Sequence, residues 1–191
     1  MKELIPLRIL SVNPSSVGAS SYILLLESDN KQALRFPIVI GSQEAQSISV
    51  YLENIQTSRP LTHDLCVNLL AHSSVTLQKI IITDFKDGIF YANIEVIKEG
   101  EIIKIDARPS DSIALAIRLA IPILISEKLL TDICIPEEDF LDEFEDDLLL
   151  NDKEPAIRSK TELEDLLNKA LLEENYEEAA KIRDEIDKLY L

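Results

Sequence analysis

Tryptophan is absent from this 191-residue chain, methionine occurs once, cysteine twice and glycine four times. The two cysteines, Cys66 and Cys134, have no CxxC or other metal-ligand spacing and no histidine cluster beyond His63 and His72. That pattern implies no disulfide framework, and the expectation is two buried free thiols. Long apolar runs are also missing. No stretch approaches a membrane span, and the N-terminus reaches Pro6 and Arg8 before a signal-peptide core could form, so a cytoplasmic protein is expected. Calcium-loop spacing of the DxDxDG type does not occur, nor does a basic stripe of the kind that tracks a phosphate backbone.

The formal net charge of −16 is unevenly spread. Residues 1–135 carry about 15 acids against about 12 bases, and residues 136–191 about 20 against about 7. The acidity therefore belongs to the tail. The near-neutral body is not barred from binding phosphate, which a uniformly acidic one would be.

What the chain has in quantity is apolar residues, 46% of the total, enough for one sizeable core plus an appendage. Strand-like runs cover residues 7–12, 22–27 and 34–40, with a break at Asn13-Pro14 and a turn at Asp29-Asn30. At Gly41-Ser42 the period changes, and Ala45, Ile48, Leu52 and Ile55 fall at helical spacing. A second helix begins near His63-Asp64, with Leu65, Leu69 and Leu70 as apolar positions. The programme then repeats: strands at 79–83, 89–97 and 102–107 with turns at Asp87-Gly88 and Glu99-Gly100, a helix after Pro109, and a short apolar segment at 123–130.

Sliding the second unit on the first aligns Ile38-Val39-Ile40-Gly41-Ser42-Gln43-Glu44 with Ile105-Asp106-Ala107-Arg108-Pro109-Ser110-Asp111. This indicates an internal duplication, and an α+β fold made of a duplicated three-strand plus helix unit. In the second strand-to-helix junction Ile103, Ile105 and Ala107 alternate with Lys104, Asp106 and Arg108, predicting one buried and one polar face, with Asp106 and Arg108 on the same side. The run that follows, from Ile113 to Ile121 with Arg118 its only charge, is apolar on every side, so this helix is expected to be buried. A body of this size would enclose such a helix with difficulty, so a homo-oligomer, most simply a dimer, is expected.

Several polar residues admit two readings. Glu44 and Asp111 are counterparts, and an acid in a helix's first turn is explained by the dipole alone. Asp106 and Arg108 face Val39 and Gly41 in the alignment, so scaffold symmetry does not require them. His63 can serve as a proton acceptor or metal ligand, or merely occupy a first turn capped by Thr62 or Asp64. Arg59-Pro60 and Arg108-Pro109 can be structural turns whose arginines are salt-bridged, and His72 belongs on the surface.

Taken together, Phe36-Pro37-Ile38-Val39-Ile40-Gly41 with Glu44-Ala45, Arg59-Pro60-Leu61-Thr62-His63-Asp64-Leu65, and Asp106-Ala107-Arg108-Pro109-Ser110-Asp111 with Ala114-Leu115-Ala116 and Arg118 resemble the bifunctional nuclease domain family. The resemblance covers about residues 3–133. It implies an α+β domain built by duplication and a nuclease acting on RNA and DNA. Its charged motif residues carry over as Glu44, Arg59, His63, Asp64, Asp106, Arg108 and Asp111.

Phosphodiester hydrolysis needs an activated water, neutralised phosphate charge and a protonated leaving oxygen. Glu44, Asp106 and Asp111 would hold a divalent cation such as magnesium. Arg59 and Arg108 would contact the phosphate, and His63, with Asp64 beside it, would handle a proton. The competing class is a non-catalytic adaptor whose polar cluster is structural, because Asp–Arg pairs readily form bridges of no chemical consequence.

The remaining chain reads as two parts. Residues 136–157 form an acidic linker, crowded with carboxylates around Phe140, Leu141 and Phe144: a solvated segment, or one that folds onto a basic partner. Residues 158–191 form an α-helical hairpin: Thr161-Glu162-Leu163-Glu164 is a capping box, Leu163, Leu166, Leu167, Ala170 and Leu171 line one helix, and Ala179, Ile182, Ile186 and Leu189 the next. Its stretch from Glu173 to Ile186 resembles the UVR motif of bacterial excision-repair proteins and some protease-regulating adaptors, which implies contact with a protein partner.

Overall fold

A computed structural model describes residues 3–15 and 21–135, and beyond them the helical Leu167 and Arg183. The acidic linker and nearly all of the expected hairpin lie outside the described residues. The chain divides into two units, residues 1–156 and 157–191.

The first unit opens with a meander of β1 (Leu4–Pro14), β2 (Ser21–Ser28) and β3 (Arg35–Gly41), then α1 (Ser42–Leu52) and α2 (Thr62–Ala71). A second meander follows as β4 (Val75–Lys86), β5 (Ile89–Lys98) and β6 (Glu101–Ala107), then α3 (Pro109–Leu119). The apolar segment at 123–130 resolves into β7 (Ile123–Ser126) and α4 (Glu127–Ile133), the change of period set by Ser126, whose hydroxyl accepts from the Leu129 N–H as an N-cap. The order strand, strand, strand, helix thus occurs twice, and the architecture is α+β.

All seven strands join in one sheet, ordered β3-β2-β1-β7-β4-β5-β6. Each meander is antiparallel, and β7 bridges them, antiparallel to β1 and parallel to β4. Asp87-Gly88 and Glu99-Gly100 all have positive φ, the requirement of the tight two-residue turns that match strand twist. The sheet curls far enough that Phe36 of β3 and Phe90 of β5, with four strands between them in the order, bring their rings to 5.9 Å. Inside the curl, Leu24, Leu26, Ile80, Ile82 and Ile125 meet Ile48 of α1 and Ile113 of α3.

Four expectations change. Ile103 and Ile105 do lie on the core face, paired with the buried Val96 and Ile94, yet Ile105 is 46% exposed because β6 is an edge strand beyond the reach of the helices. Leu65 and Leu69 of α2 are likewise exposed, and no residue of that helix is buried. α3 is enclosed by its own body, packed on β4 and β5 and against α1 and α2, so its apolar surface does not by itself require a second copy. Cys66 and Cys134 are free but only half-buried. Among the described residues no helix is long and apolar enough to cross a membrane.

Candidate functional site

Three helices begin at one place. Gln43 and Glu44 come from the first turn of α1, Thr62 and His63 from that of α2, and Arg108 and Asp111 from the start of α3; all six line one pocket of about 240 Å³. Unpaired N–H groups and the positive end of the dipole make each such terminus attractive to an anion. Each helix starts there for a local reason. Gly41 and Arg108 are extended N-caps, Pro109 supplies a preset φ at N1 of α3, and the Leu61 N–H donates to Asp64 Oδ2 at 2.8 Å to open α2.

Duplicated positions become one cluster here. Arg108 donates through Nε to Asp111 Oδ2 at 2.7 Å and through Nη2 to Asp111 Oδ1 at 3.1 Å, and its Nη2 also lies 2.9 Å from Glu44 Oε1. Glu44 and Asp111, counterparts in the repeat, therefore clasp one guanidinium that has a counterpart of glycine. Gly41 has a role of its own, because a Cβ there would meet the Glu44 carboxylate.

His63 stands between the first and third helices. Its Nδ1 lies 2.7 Å from Ser47 Oγ and its Nε2 3.3 Å from Asp111 Oδ1. An ionised carboxylate only accepts, so Nε2 carries the proton and, in the neutral ring, Nδ1 accepts from the Ser47 hydroxyl. Burial pushes the Asp111 carboxyl up, but the hydrogen bonds and charge of Arg108, then of His63, outweigh it and hold Asp111 below the usual carboxylate range.

Asp64 faces elsewhere. Arg118, 4% exposed, donates from Nε to Asp64 Oδ1 at 2.6 Å, from Nη1 to the Ala114 carbonyl and from Nη2 to the Ser47 carbonyl, each at 2.9 Å. Its guanidinium also lies 5.2 Å from the centre of the Tyr51 ring. One buried cation thus ties together the three helices that carry the site. Burial raises the Asp64 carboxyl, and Arg118 together with the Leu61 N–H more than reverses that.

The sequence candidates consequently separate. Glu44, His63, Arg108 and Asp111 are brought together. Asp64 is bound to Arg118 and lies outside the pocket lining, as does Arg59, which sits in the exposed loop before α2. Asp106 pairs with Asn93 on the face of β6 that also carries Lys104 and is not in the pocket lining, while the Arg108 guanidinium is bound by Asp111 and Glu44. Glu44, Asp106 and Asp111 therefore do not form one ligand set; among the described residues no three Asp, Glu, His or Cys side chains stand together as a metal site. Ser47 was missed by sequence reasoning, although its place three residues after Glu44 puts both on one helix face.

A family model, the bifunctional nuclease domain, matches residues 23–138, and a UvrB/UvrC motif model matches residues 158–190. An uncharacterised protein of Mycobacterium tuberculosis is 35% identical over 133 residues, 69% of this chain and 78% of its own. Bifunctional nuclease 1 of Oryza sativa subsp. indica is 23% identical over 197 residues, 94% of this chain and 60% of its own. Bifunctional nuclease 2 of Arabidopsis thaliana is 23% identical over 136 residues, 68% of this chain and 41% of its own. The motif residues, the duplicated junctions that bring them together and these matches agree: the chain belongs to the bifunctional nuclease domain family and carries a UvrB/UvrC motif behind that domain.

Proposed function

We propose that the body is a nuclease that hydrolyses phosphodiester bonds of RNA or DNA at the pocket where α1, α2 and α3 begin. The observation that carries this reading is the convergence of three helix N-termini on Arg108, with Glu44, His63 and Asp111 in the same pocket. A phosphate seated there meets backbone N–H groups and the guanidinium, which stabilise the charge that develops on the phosphoryl oxygens. Glu44, held by fewer contacts than Asp111, takes the proton of the attacking oxygen. His63, as the imidazolium, gives one to the leaving oxygen and returns to the neutral ring, with Asp111 fixing its orientation.

No step is routed through a metal, because Arg108 already occupies the two carboxylates that remain from the expected ligand set. A divalent cation such as magnesium, brought in with the phosphate, is the cofactor proposal. Cleavage of single-stranded RNA and DNA with and without chelator reports whether it takes part. In the same assay His63→Ala and Arg108→Ala are expected to lose about 100-fold or more, whereas Asp106→Asn stays near the parent rate. Full activity in folded His63→Ala and Arg108→Ala proteins would sink the reading.

The adaptor reading has one observation in its favour: Arg108 is already satisfied by Glu44 and Asp111, as a purely structural bridge would be. Absence of cleavage under any metal would select it. In either case the UvrB/UvrC motif is proposed to contact a protein partner, and the exposed Leu65 and Leu69 of α2 are the proposed surface for self-association.

A further inference from the structure

A second hollow, of about 460 Å³, shares Glu44 and Arg108 with the phosphate pocket. Its character is different. One wall is the β3 edge, including Pro37, Val39 and Ile40; the other is the tip of the β4–β5 hairpin, with Phe85, Ile89 and Phe90. Building on the phosphodiester reading above, we infer that this groove receives one nucleobase of a single-stranded nucleic acid, stacked on Phe85, while Arg108 holds the adjoining phosphate.

A nucleotide is apolar and flat at one end and anionic at the other, and the groove is built the same way, with aromatic and aliphatic walls leading to an arginine. Phe85 is 40% exposed, unusual for a ring that has a core within reach. It is nevertheless held: its centroid lies 4.4 Å from Phe90, which in turn rests against the fully buried Phe36. The outward ring is thus a supported platform, and base stacking on such a ring tolerates any sequence.

The opposite wall offers hydrogen bonds. β3 pairs with β2 along one edge only; from Pro37 to Gly41 its other edge joins no strand among the described residues, and Val39 is 69% exposed. Backbone N–H and C=O groups there are available to the edges of a base. The volume falls within the usual range for small-ligand sites, about 300–1,000 Å³. A base still stacked and paired in a duplex cannot enter such a slot, so the substrate class is single-stranded.

Because the chain has no tryptophan, Phe85→Trp places its one tryptophan, excited apart from the tyrosines at long wavelength, in the groove. In the full chain, with His63→Ala to prevent cleavage, a short single-stranded oligonucleotide is expected to quench that fluorescence saturably. The same backbone made wholly of abasic sites binds without quenching. Phe85→Ala, on the same background and checked for folding by circular dichroism, weakens the base-bearing oligonucleotide about tenfold and leaves the abasic one unchanged. Binding indifferent to Phe85→Ala, or an equal loss on both oligonucleotides, overturns the base site while the phosphate pocket stands. Failure of both oligonucleotides to bind overturns both. Quenching by an extended apolar peptide and not by the oligonucleotide assigns the β3 edge to a protein strand and also overturns the proposal.

Discussion

At the scale of single residues, buried ion pairs organise both ends of the body. Glu27, 1% exposed on β2, accepts from Arg8 Nε at 2.8 Å and from Arg35 Nε at 2.7 Å, a cross-strand triad over β1, β2 and β3. Burial raises its carboxyl, and Arg35 and then Arg8 reverse this, leaving it below the usual range. Asp64 is lowered in the same sense by Arg118. A carboxyl lowered in the folded state stabilises fully above its unfolded value of about 4, and that stabilisation is lost as pH falls toward the folded value. The urea midpoint should therefore be flat near neutrality and drop steeply below about pH 4, with Glu27→Gln starting lower and dropping less. Asp64→Ala leaves Arg118 buried without its carboxylate and should cost about 3 kcal/mol in urea unfolding. The sequence announced Arg118 as the only charge in the apolar run from Ile113 to Ile121, but its partner is 54 residues away in the chain, a distance no periodicity spans.

At the scale of elements, the aligned junctions Gly41-Ser42-Gln43-Glu44 and Arg108-Pro109-Ser110-Asp111 proved to be equivalent, each ending a strand and starting a helix. That much was legible, because turn chemistry and a change of period are local. The alternation along β6 is local too, but it does not say which partners the Arg108 guanidinium takes: from its extended cap position it binds Asp111 of its own helix and Glu44 of α1. The exposure of Ile103 and Ile105 was equally illegible, since it depends on how far the helix layer reaches over the sheet. Gly41 tests the junction directly. Its φ of −79° suits any residue, so Gly41→Ala should leave stability within about 0.5 kcal/mol of the parent. The new methyl displaces the Glu44 carboxylate from its place beside Arg108, and cleavage should fall with folding intact. Unfolding of Gly41→Ala would show that the glycine serves packing and not the site.

At the scale of the whole chain, charge and core are divided between different segments. The last described elements of the body are fastened to it: Leu130 of α4 is fully buried, and the Ile135 N–H reaches the Arg35 carbonyl on β3. A chain ending at residue 136 should therefore keep its urea midpoint. Removing residues 137–191 takes away most of the net charge of −16 and leaves the body near neutral. A negative field that reaches the pocket slows the arrival of a phosphate and weakens its binding. Screening shortens the field to about 10 Å at 0.1 M salt and about 3 Å at 1 M. The truncated protein should hence bind a short single-stranded oligonucleotide several-fold more tightly than the full chain at low salt, with the two curves converging as salt rises. Fluorescence anisotropy across a salt series measures it. Equal affinity at low salt would mean that the acidic tail does not act on the pocket, and tighter binding by the full chain would mean that the segment carrying the UvrB/UvrC motif itself engages the nucleic acid.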